Sequence, residues 1–223
     1  MRRTIVLLAT MALTLLVASG VALAVTKIGG PGPDTLRGTN GADNLLGNGA
    51  NDALLALGGM DNLLGGEGKD WLLGGNQRRA LGGEKTLLGS SGNDGVLGGG
   101  TGSDIVVGGS GNDHVYGHTG SDRVMGQEGD DLVWGGTYPE TATDVLSAGD
   151  GEDVVFVDNR TPARDIVAYG GGFDRVGADS KDVVAPDCEK VFVGAARRFF
   201  HRLQESGYFD NLFEEVLAPF PKG

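Results

Sequence analysis

Apolar residues recur with a period of nine between Gly29 and Trp134, and glycines and small polar residues separate them. Each nine-residue unit has six turn-forming residues followed by three residues with an apolar side chain at their centre. Glycine permits the positive φ angles of tight turns, and alternation along a short strand turns the central side chain to one face. Each unit therefore predicts one turn and one strand. In the first five units the central residues are Leu36, Leu45, Leu54, Leu63 and Leu72.

Two such units make one full coil, and stacked coils place their strands in two parallel sheets over a thin aliphatic core. The predicted fold class is therefore all-β, a parallel β-roll or β-solenoid of nonapeptide repeats. The last position of a unit is also often apolar, and alternation predicts that it faces outward, as a stripe for self-association or a surface partner. This stripe comprises Leu46, Leu55, Leu64, Leu73, Leu88, Leu97, Val107, Tyr116, Met125 and Trp134.

The chain divides into four parts on this pattern. Residues 1–24 form a separate leader, and residues 25–134 hold the regular units, with a break at 74–88. Residues 135–193 hold degenerate units with insertions, and residues 194–223 carry apolar residues at helical spacing. The last part predicts a short C-terminal helical cap, since the end of a solenoid exposes its core and an unpaired strand edge.

An aspartate stands at the sixth position of nearly every unit, two residues before the central apolar residue. Of the 21 aspartates in the chain, 14 share this phase. Ten belong to the regular units and four to the degenerate ones. They are Asp34, Asp43, Asp52, Asp61, Asp70, Asp94, Asp104, Asp113, Asp122, Asp131, Asp144, Asp153, Asp165 and Asp174.

Composition and charge narrow the function classes. Acidic residues outnumber basic ones by 30 to 18, which gives a net charge of −12. Such a chain lacks the basic face that nucleic acid binding needs, and it favours cations as partners. Cys188 is the single cysteine, so no intrachain disulfide can stabilise the fold. One buried Leu or Val per unit contributes about 2 kcal/mol, well below the entropy cost of ordering nine residues.

The repeated unit matches the pattern G-G-x-G-x-D-x-U-x, as in the segments GGSGNDHVY and GGTGSDIVV. The chain resembles the RTX (repeats-in-toxin) family of calcium-binding repeats, strongly from Gly29 to Trp134 and weakly from there to Val193. The resemblance implies Ca²⁺ as the cofactor, held between adjacent turns by the sixth-position aspartates and turn carbonyls. All 14 aspartates, including the four of the degenerate units, are then candidate ligands.

The alternative is that aspartate and glycine serve only as turn residues in a solenoid without metal.

The break departs from the family pattern, because Arg78, Arg79 and Lys85 stand where carboxylates are expected. There the sequence predicts no bound calcium, with the cations partly neutralising neighbouring turns.

The leader resembles a secretion signal, with Arg2 and Arg3 before an apolar stretch and the small-residue pattern Ala22-Leu23-Ala24. It predicts a secreted, extracellular protein; an uncleaved membrane anchor is the alternative.

No H-E-x-x-H, G-x-S-x-G or phosphate-binding glycine motif is present, and no small-molecule substrate is evident. Two non-enzymatic functions are predicted: a calcium-binding module that folds on secretion, or a structural or adhesive surface protein that calcium only rigidifies.

Overall fold

The computed structural model describes residues 23–75, 84–136, 141–157, 163–186 and 190–193. In these residues the secondary structure consists of short strands that alternate between two nine-stranded sheets. Every neighbouring pair of strands within a sheet is parallel. The predicted all-β parallel roll is confirmed, and the predicted helical cap lies outside the described residues.

Odd-numbered strands form the first sheet and even-numbered strands the second. The first sheet contains β1 (Thr26–Ile28), β3 (Asn44–Gly49), β5 (Asn62–Glu67), β7 (Thr86–Ser91), β9 (Ile105–Ser110), β11 (Arg123–Glu128), β13 (Val145–Asp150), β15 (Ile166–Ala168) and β17 (Val183–Val184). The second contains β2 (Thr35–Arg37), β4 (Ala53–Leu55), β6 (Trp71–Leu73), β8 (Val96–Thr101), β10 (His114–Thr119), β12 (Leu132–Gly136), β14 (Val154–Phe156), β16 (Arg175–Ala178) and β18 (Lys190–Val193).

The strand register repeats every two units. Leu45 pairs with Leu63, eighteen residues later, and the next step in the same sheet joins Leu63 to Leu87, twenty-four residues later. The six additional residues of the break are thus taken up between β6 and β7 without changing which side chains face inward. The later insertions behave alike, since Val133 still pairs with Val155.

The core is a single file of aliphatic side chains between the two sheets. Its members are fully buried from the second coil onward, whereas Leu36 in the first coil is only partly buried because fewer neighbours cover it. The core predictions at Leu45, Leu54, Leu63 and Leu72 are confirmed. The same file continues through Leu87, Leu97, Val106, Val115, Val124, Val133, Leu146, Val155, Val167 and Val176.

One member of the predicted outer stripe lies in the core instead. Leu97 is 0% exposed and pairs with Leu72 and Val115. This unit contains one extra residue, which lies just before the strand. The Gly95 amide donates to the Asp70 carbonyl, but it is the next residue, Val96, that pairs with Trp71. Gly95 and Val96 therefore both lie opposite Trp71, as in a β-bulge, and the side chain of Leu97 faces inward as a result. The prediction that Leu97 faces outward was wrong.

The rest of the outer stripe is unevenly exposed. Leu64 and Leu88, which pair with each other on the first sheet, are each 37% exposed. On the second sheet Tyr116 is buried and packs edge-on against Trp134, with ring centroids 5.7 Å apart.

Within the described ranges no helix is long and apolar enough to cross a membrane. Residues 1–22, which make up most of the predicted leader, and Cys188 lie outside those ranges.

Candidate metal sites along the roll

The phased aspartates form two rows that run along the roll, one beside each sheet. All of them except Asp34, in the first coil, are buried. The first row holds Asp43, Asp61, Asp104, Asp122, Asp144 and Asp165, with Lys85 between Asp61 and Asp104. The second row holds Asp34, Asp52, Asp70, Asp94, Asp113, Asp131, Asp153 and Asp174.

Hydrogen bonds connect successive members of each row. The backbone amide of one aspartate donates to Oδ1 of the aspartate one coil later, as in Asp113 to Asp131 at 2.8 Å and Asp104 to Asp122 at 2.8 Å. Along the second row these N···O distances range from 2.7 Å, for Asp34 to Asp52, to 3.1 Å, for Asp153 to Asp174. One carboxylate oxygen of each aspartate therefore has a structural role.

The other carboxylate oxygen has no hydrogen-bond partner in much of the roll. Oδ2 is buried without one in Asp52, Asp61, Asp70, Asp94, Asp104, Asp113, Asp131 and Asp153. A buried charged oxygen without a partner is costly, and a protein normally compensates it with a donor or a cation. At the N-terminal end of the roll the corresponding oxygens are satisfied locally: Asp34 Oδ2 accepts from the Gly30 amide and Asp43 Oδ2 from the Thr39 amide, both at 2.5 Å.

Burial and mutual repulsion disfavour the ionised carboxylates in the absence of a cation. Burial raises the pKa of Asp94 and Asp131 to about 7, against the lowering effect of a backbone hydrogen bond, and neighbouring aspartates raise it further. Burial likewise raises the pKa of Asp70 and Asp113 to about 6. Asp165, near the end of the first row, has a pKa raised to about 7 by burial. Neutralisation of the carboxylates would therefore stabilise the roll.

Backbone carbonyls approach the same space as the unpaired carboxylate oxygens. An added Cβ at Gly108, the first residue of its unit, would lie 2.5 Å from Asp113 Oδ2 and 2.8 Å from the Gly126 carbonyl oxygen of the next coil. At Gly99 the matching distances, to Asp104 Oδ2 and the Gly117 carbonyl oxygen, are 2.7 and 2.9 Å. Each unit thus directs a carboxylate and a carbonyl of the adjacent coil toward one position.

This set of oxygens suits a hard cation. In the part of the chain that the structure describes, no group of three or more His, Cys, Asp or Glu side chains is placed to hold a metal. A bound ion would need backbone carbonyls as well as carboxylates. Ca²⁺ accepts both, takes six to eight oxygen ligands and tolerates irregular geometry, whereas zinc prefers nitrogen and sulfur. The residues therefore fit calcium.

The family comparison agrees with this donor set. The model of the RTX calcium-binding nonapeptide repeat (4 copies) matches residues 28–63, 55–78 and 98–133. Over these residues the chain matches RTX repeats. Calcium is the cofactor of such repeats, and the β-roll that they form here is a structural calcium-binding fold. No curated protein matches the chain.

The hydrogen bonds that connect each row, its spine, extend further along the chain than the matched residues. The matches end at 133, yet the spine of hydrogen bonds continues through Asp144, Asp153, Asp165 and Asp174. The four late aspartates thus lie in the same rows as the early ones. Their role as ligands stays a prediction.

Sequence reasoning missed one member of the first row. Asp182 accepts a hydrogen bond from the Asp165 amide at 3.1 Å and so occupies the next place along the spine. The signal was present, because Asp182 precedes the apolar Val184 by two residues. It was obscured by a spacing of seventeen instead of eighteen and by the presence of only one glycine, Gly177, among the five residues before it.

A second set of polar side chains also joins the coils. Asn93 Oδ1 accepts from the Asn112 amide at 3.0 Å, Asn112 Oδ1 from the Asp130 amide at 3.1 Å, and Asp130 Oδ1 from the Glu152 amide at 2.9 Å. These residues occupy the fifth position of their units and are exposed. They satisfy turn amides without a cation, so the fifth position has a structural role that the sequence pattern did not reveal.

Proposed function

We propose that the protein is a secreted calcium-binding repeat protein that folds into its roll on binding extracellular calcium, and that it is not an enzyme. The observation that carries the proposal is the recurrence of a buried Oδ2 without a partner, coil after coil, beside a carbonyl of the next coil. We assign the ligand role to the aspartates of both rows, including the four late ones.

The calcium concentration outside the cell is high enough to couple calcium binding to folding. Extracellular modules bind calcium with dissociation constants of about 10⁻⁴ to 10⁻³ M. At about 1 mM calcium, a site of about 10⁻⁴ M adds about 1.4 kcal/mol of stability for each ion. Because successive coils share the rows, several ions act on one folding transition. Low cytosolic calcium would leave the chain unfolded until export.

The first test compares the purified chain with and without calcium. We expect the β signal in far-UV circular dichroism to be strong in millimolar calcium and to be largely lost in EDTA. Calorimetric titration should detect several calcium ions per chain. An unchanged β signal after chelation would contradict coupled folding, and a titration without heat or stoichiometry would contradict calcium binding itself.

A point variant locates the ligands. Asp113→Asn keeps an oxygen that can accept from the Asp94 amide but removes the charge of the unpaired oxygen. Glu128→Gln removes the same charge from an exposed side chain on β11 and is the matched control. We expect Asp113→Asn to lower the number or affinity of bound calcium ions, with Glu128→Gln unchanged. Equal effects of both variants would show that net charge alone matters.

The proposal of secretion depends on the leader at residues 1–24. Its basic start, apolar stretch and small-residue site support cleavage during export. N-terminal sequencing of the protein recovered from culture medium should begin after Ala24. Recovery in the membrane fraction with the leader intact would favour the surface-anchored alternative.

A structural or adhesive role is the second candidate, and the exposed apolar side chains of the first sheet favour it. Leu64 and Leu88 are each 37% exposed, and Ile105, on strand β9 of the same sheet, is 41% exposed. Such a patch on a sheet face suits contact with another surface. Light scattering of the calcium-loaded chain distinguishes the candidates, because a self-associating rod has a multiple of the 22.9 kDa chain mass.

A further inference from the structure

The first row is interrupted at one place by a lysine that has the backbone position of an aspartate. The Thr86 amide donates to the Asp61 carbonyl at 2.9 Å, and the Ile105 amide donates to the Lys85 carbonyl at 2.8 Å. The Lys85 amide donates to Asp104 Oδ1 at 2.9 Å. The hydrogen bonds that the backbone of an aspartate makes in the row are thus kept. The side chain has the opposite charge and cannot accept from the Asp61 amide as an aspartate would.

The lysine side chain also fills the space that a carboxylate occupies in other units. The first glycine of an intact unit faces Oδ2 of its own aspartate and a carbonyl of the next coil, as Gly108 does. Gly74 is the first residue of the unit that contains Lys85 and the six additional residues of the break. An added Cβ there would meet the Gly99 carbonyl and, at 2.6 Å, Lys85 Cδ. The aliphatic part of Lys85 therefore stands in for the carboxylate beside the same type of carbonyl.

The ammonium group is surrounded by oxygens of the next coil. Lys85 Nζ donates to the Thr101 carbonyl at 3.0 Å and lies 3.9 Å from Asp104 Oδ1. The Lys85 side chain is 1% exposed. A buried ammonium is tolerated only where oxygens compensate its charge, so these contacts define a cation position inside the roll. Burial raises the pKa of Asp104 to about 6, and the Lys85 ammonium acts against that rise.

We propose that the Lys85 ammonium takes the place of one calcium ion in the first row, so that the coil around β7 and β9 forms without calcium at that position. The proposal depends on the calcium binding proposed above. A covalently attached cation is not lost when the calcium concentration falls, whereas each bound ion is governed by mass action. The Lys85 coil is therefore the part of the roll that needs least calcium, and it separates two calcium-binding blocks.

Calcium stoichiometry tests the replacement. Lys85→Asp restores the aspartate of the row, and Lys69→Asp makes the same change of charge at an exposed position. Equilibrium dialysis with metal analysis should find one more calcium ion per chain in Lys85→Asp than in the unaltered chain, and no increase in Lys69→Asp. An unaltered chain that binds calcium while Lys85→Asp binds no additional ion would overturn the replacement. An unaltered chain that binds no calcium would overturn the proposed function instead.

Hydrogen exchange of the unaltered chain tests the second part of the proposal without any variant. As calcium is lowered in steps, amides of β7 and β9 should keep their protection at concentrations at which those of β3 and β13 have lost it. Lys85→Met, which removes the charge and keeps most of the aliphatic chain, should abolish this difference, and Lys69→Met should not. Loss of protection at β7 at the same calcium concentration as at β13, or above it, would overturn the proposal.

Discussion

Each aspartate of the rows uses its two carboxylate oxygens differently. In Asp113, Oδ1 accepts from the Asp94 amide, whereas the buried Oδ2 has no hydrogen-bond partner and faces the Gly108 side of the turn. An asparagine could supply the first oxygen but would bring no charge to the second. The fifth-position Asn93 shows this case, because its Oδ1 accepts from the Asn112 amide at an exposed place where no cation is required. The proposed cation therefore accounts for a charged side chain at position six.

The first glycine of a unit is needed for space at this position. We expect Gly108→Ala to weaken calcium binding and to lower the calcium-dependent stability, because its Cβ would lie 2.5 Å from Asp113 Oδ2 and 2.8 Å from the Gly126 carbonyl oxygen. Both oxygens would have to move from their positions. Calcium titration followed by circular dichroism measures the shift in midpoint.

Gly32→Ala is the matched control for this substitution. An added Cβ at Gly32 has no atom within 4 Å, so its titration midpoint should equal that of the unaltered chain. A normal midpoint for Gly108→Ala would mean that the space beside Gly108 is not part of a calcium site.

At the scale of the strand, pairing with the neighbouring coils decides which residue faces the core. The number of residues that separate it from the preceding aspartate is not enough to decide this. Val124 follows Asp122 by two residues and lies in the core, as does Val133 after Asp131. Leu97 follows Asp94 by three, because the bulge at Gly95 adds a residue. The absence of a side chain at Gly95 permits this, since an added Cβ would collide with the Trp71 indole.

Truncation of Leu97 tests this register. Leu97→Ala should lower the free energy of unfolding by about 2–5 kcal/mol, the usual cost of removing a buried leucine side chain. Leu88→Ala, at a 37% exposed position on the outer face, should cost less than about 1 kcal/mol. Urea unfolding in saturating calcium measures both. If Leu97→Ala costs no more than Leu88→Ala, Leu97 faces outward, as simple alternation predicts.

The nine-residue period was enough to predict the parallel roll, the file of core leucines from Leu45 to Leu72 and the phase of the aspartates. Periodicity could not predict the inward turn of Leu97, because a bulge depends on what the neighbouring strand offers, here the Trp71 side chain over Gly95. It also overlooked Asp182, whose place depends on pairing with Asp165 across a coil of altered length. The burial of Lys85 was equally inaccessible, since it requires the Thr101 carbonyl of the next coil.

At the scale of the whole molecule, the calcium-free roll holds two rows of like charges in a chain of net charge −12. Their repulsion and burial oppose folding, and the aliphatic core between the sheets is only one file of side chains wide. Protons and calcium can both relieve the repulsion, but they compete for the same oxygens. The dependence of stability on pH should therefore change sign between the calcium-free and the calcium-loaded protein.

In EDTA the roll should be more stable at pH 5 than at pH 8. Burial raises the folded-state pKa of Asp94, Asp131 and Asp165 to about 7, above the value of 3.8 for a free side chain. Folding therefore favours the protonated carboxyls. Their contribution is fully present below the unfolded pKa and is lost as the pH rises from about 4 through about 7. Far-UV circular dichroism and urea unfolding at both pH values measure this gain.

In saturating calcium the sign should reverse, because calcium binds the ionised carboxylates and acid displaces it. The stabilisation by calcium, taken as the difference between loaded and chelated protein at one pH, should then be larger at pH 8 than at pH 5. The chelated sample at each pH is the internal control for acid effects elsewhere in the chain. A calcium-free roll that loses β structure between pH 8 and pH 5 would show that the buried carboxylates are not what limits its stability.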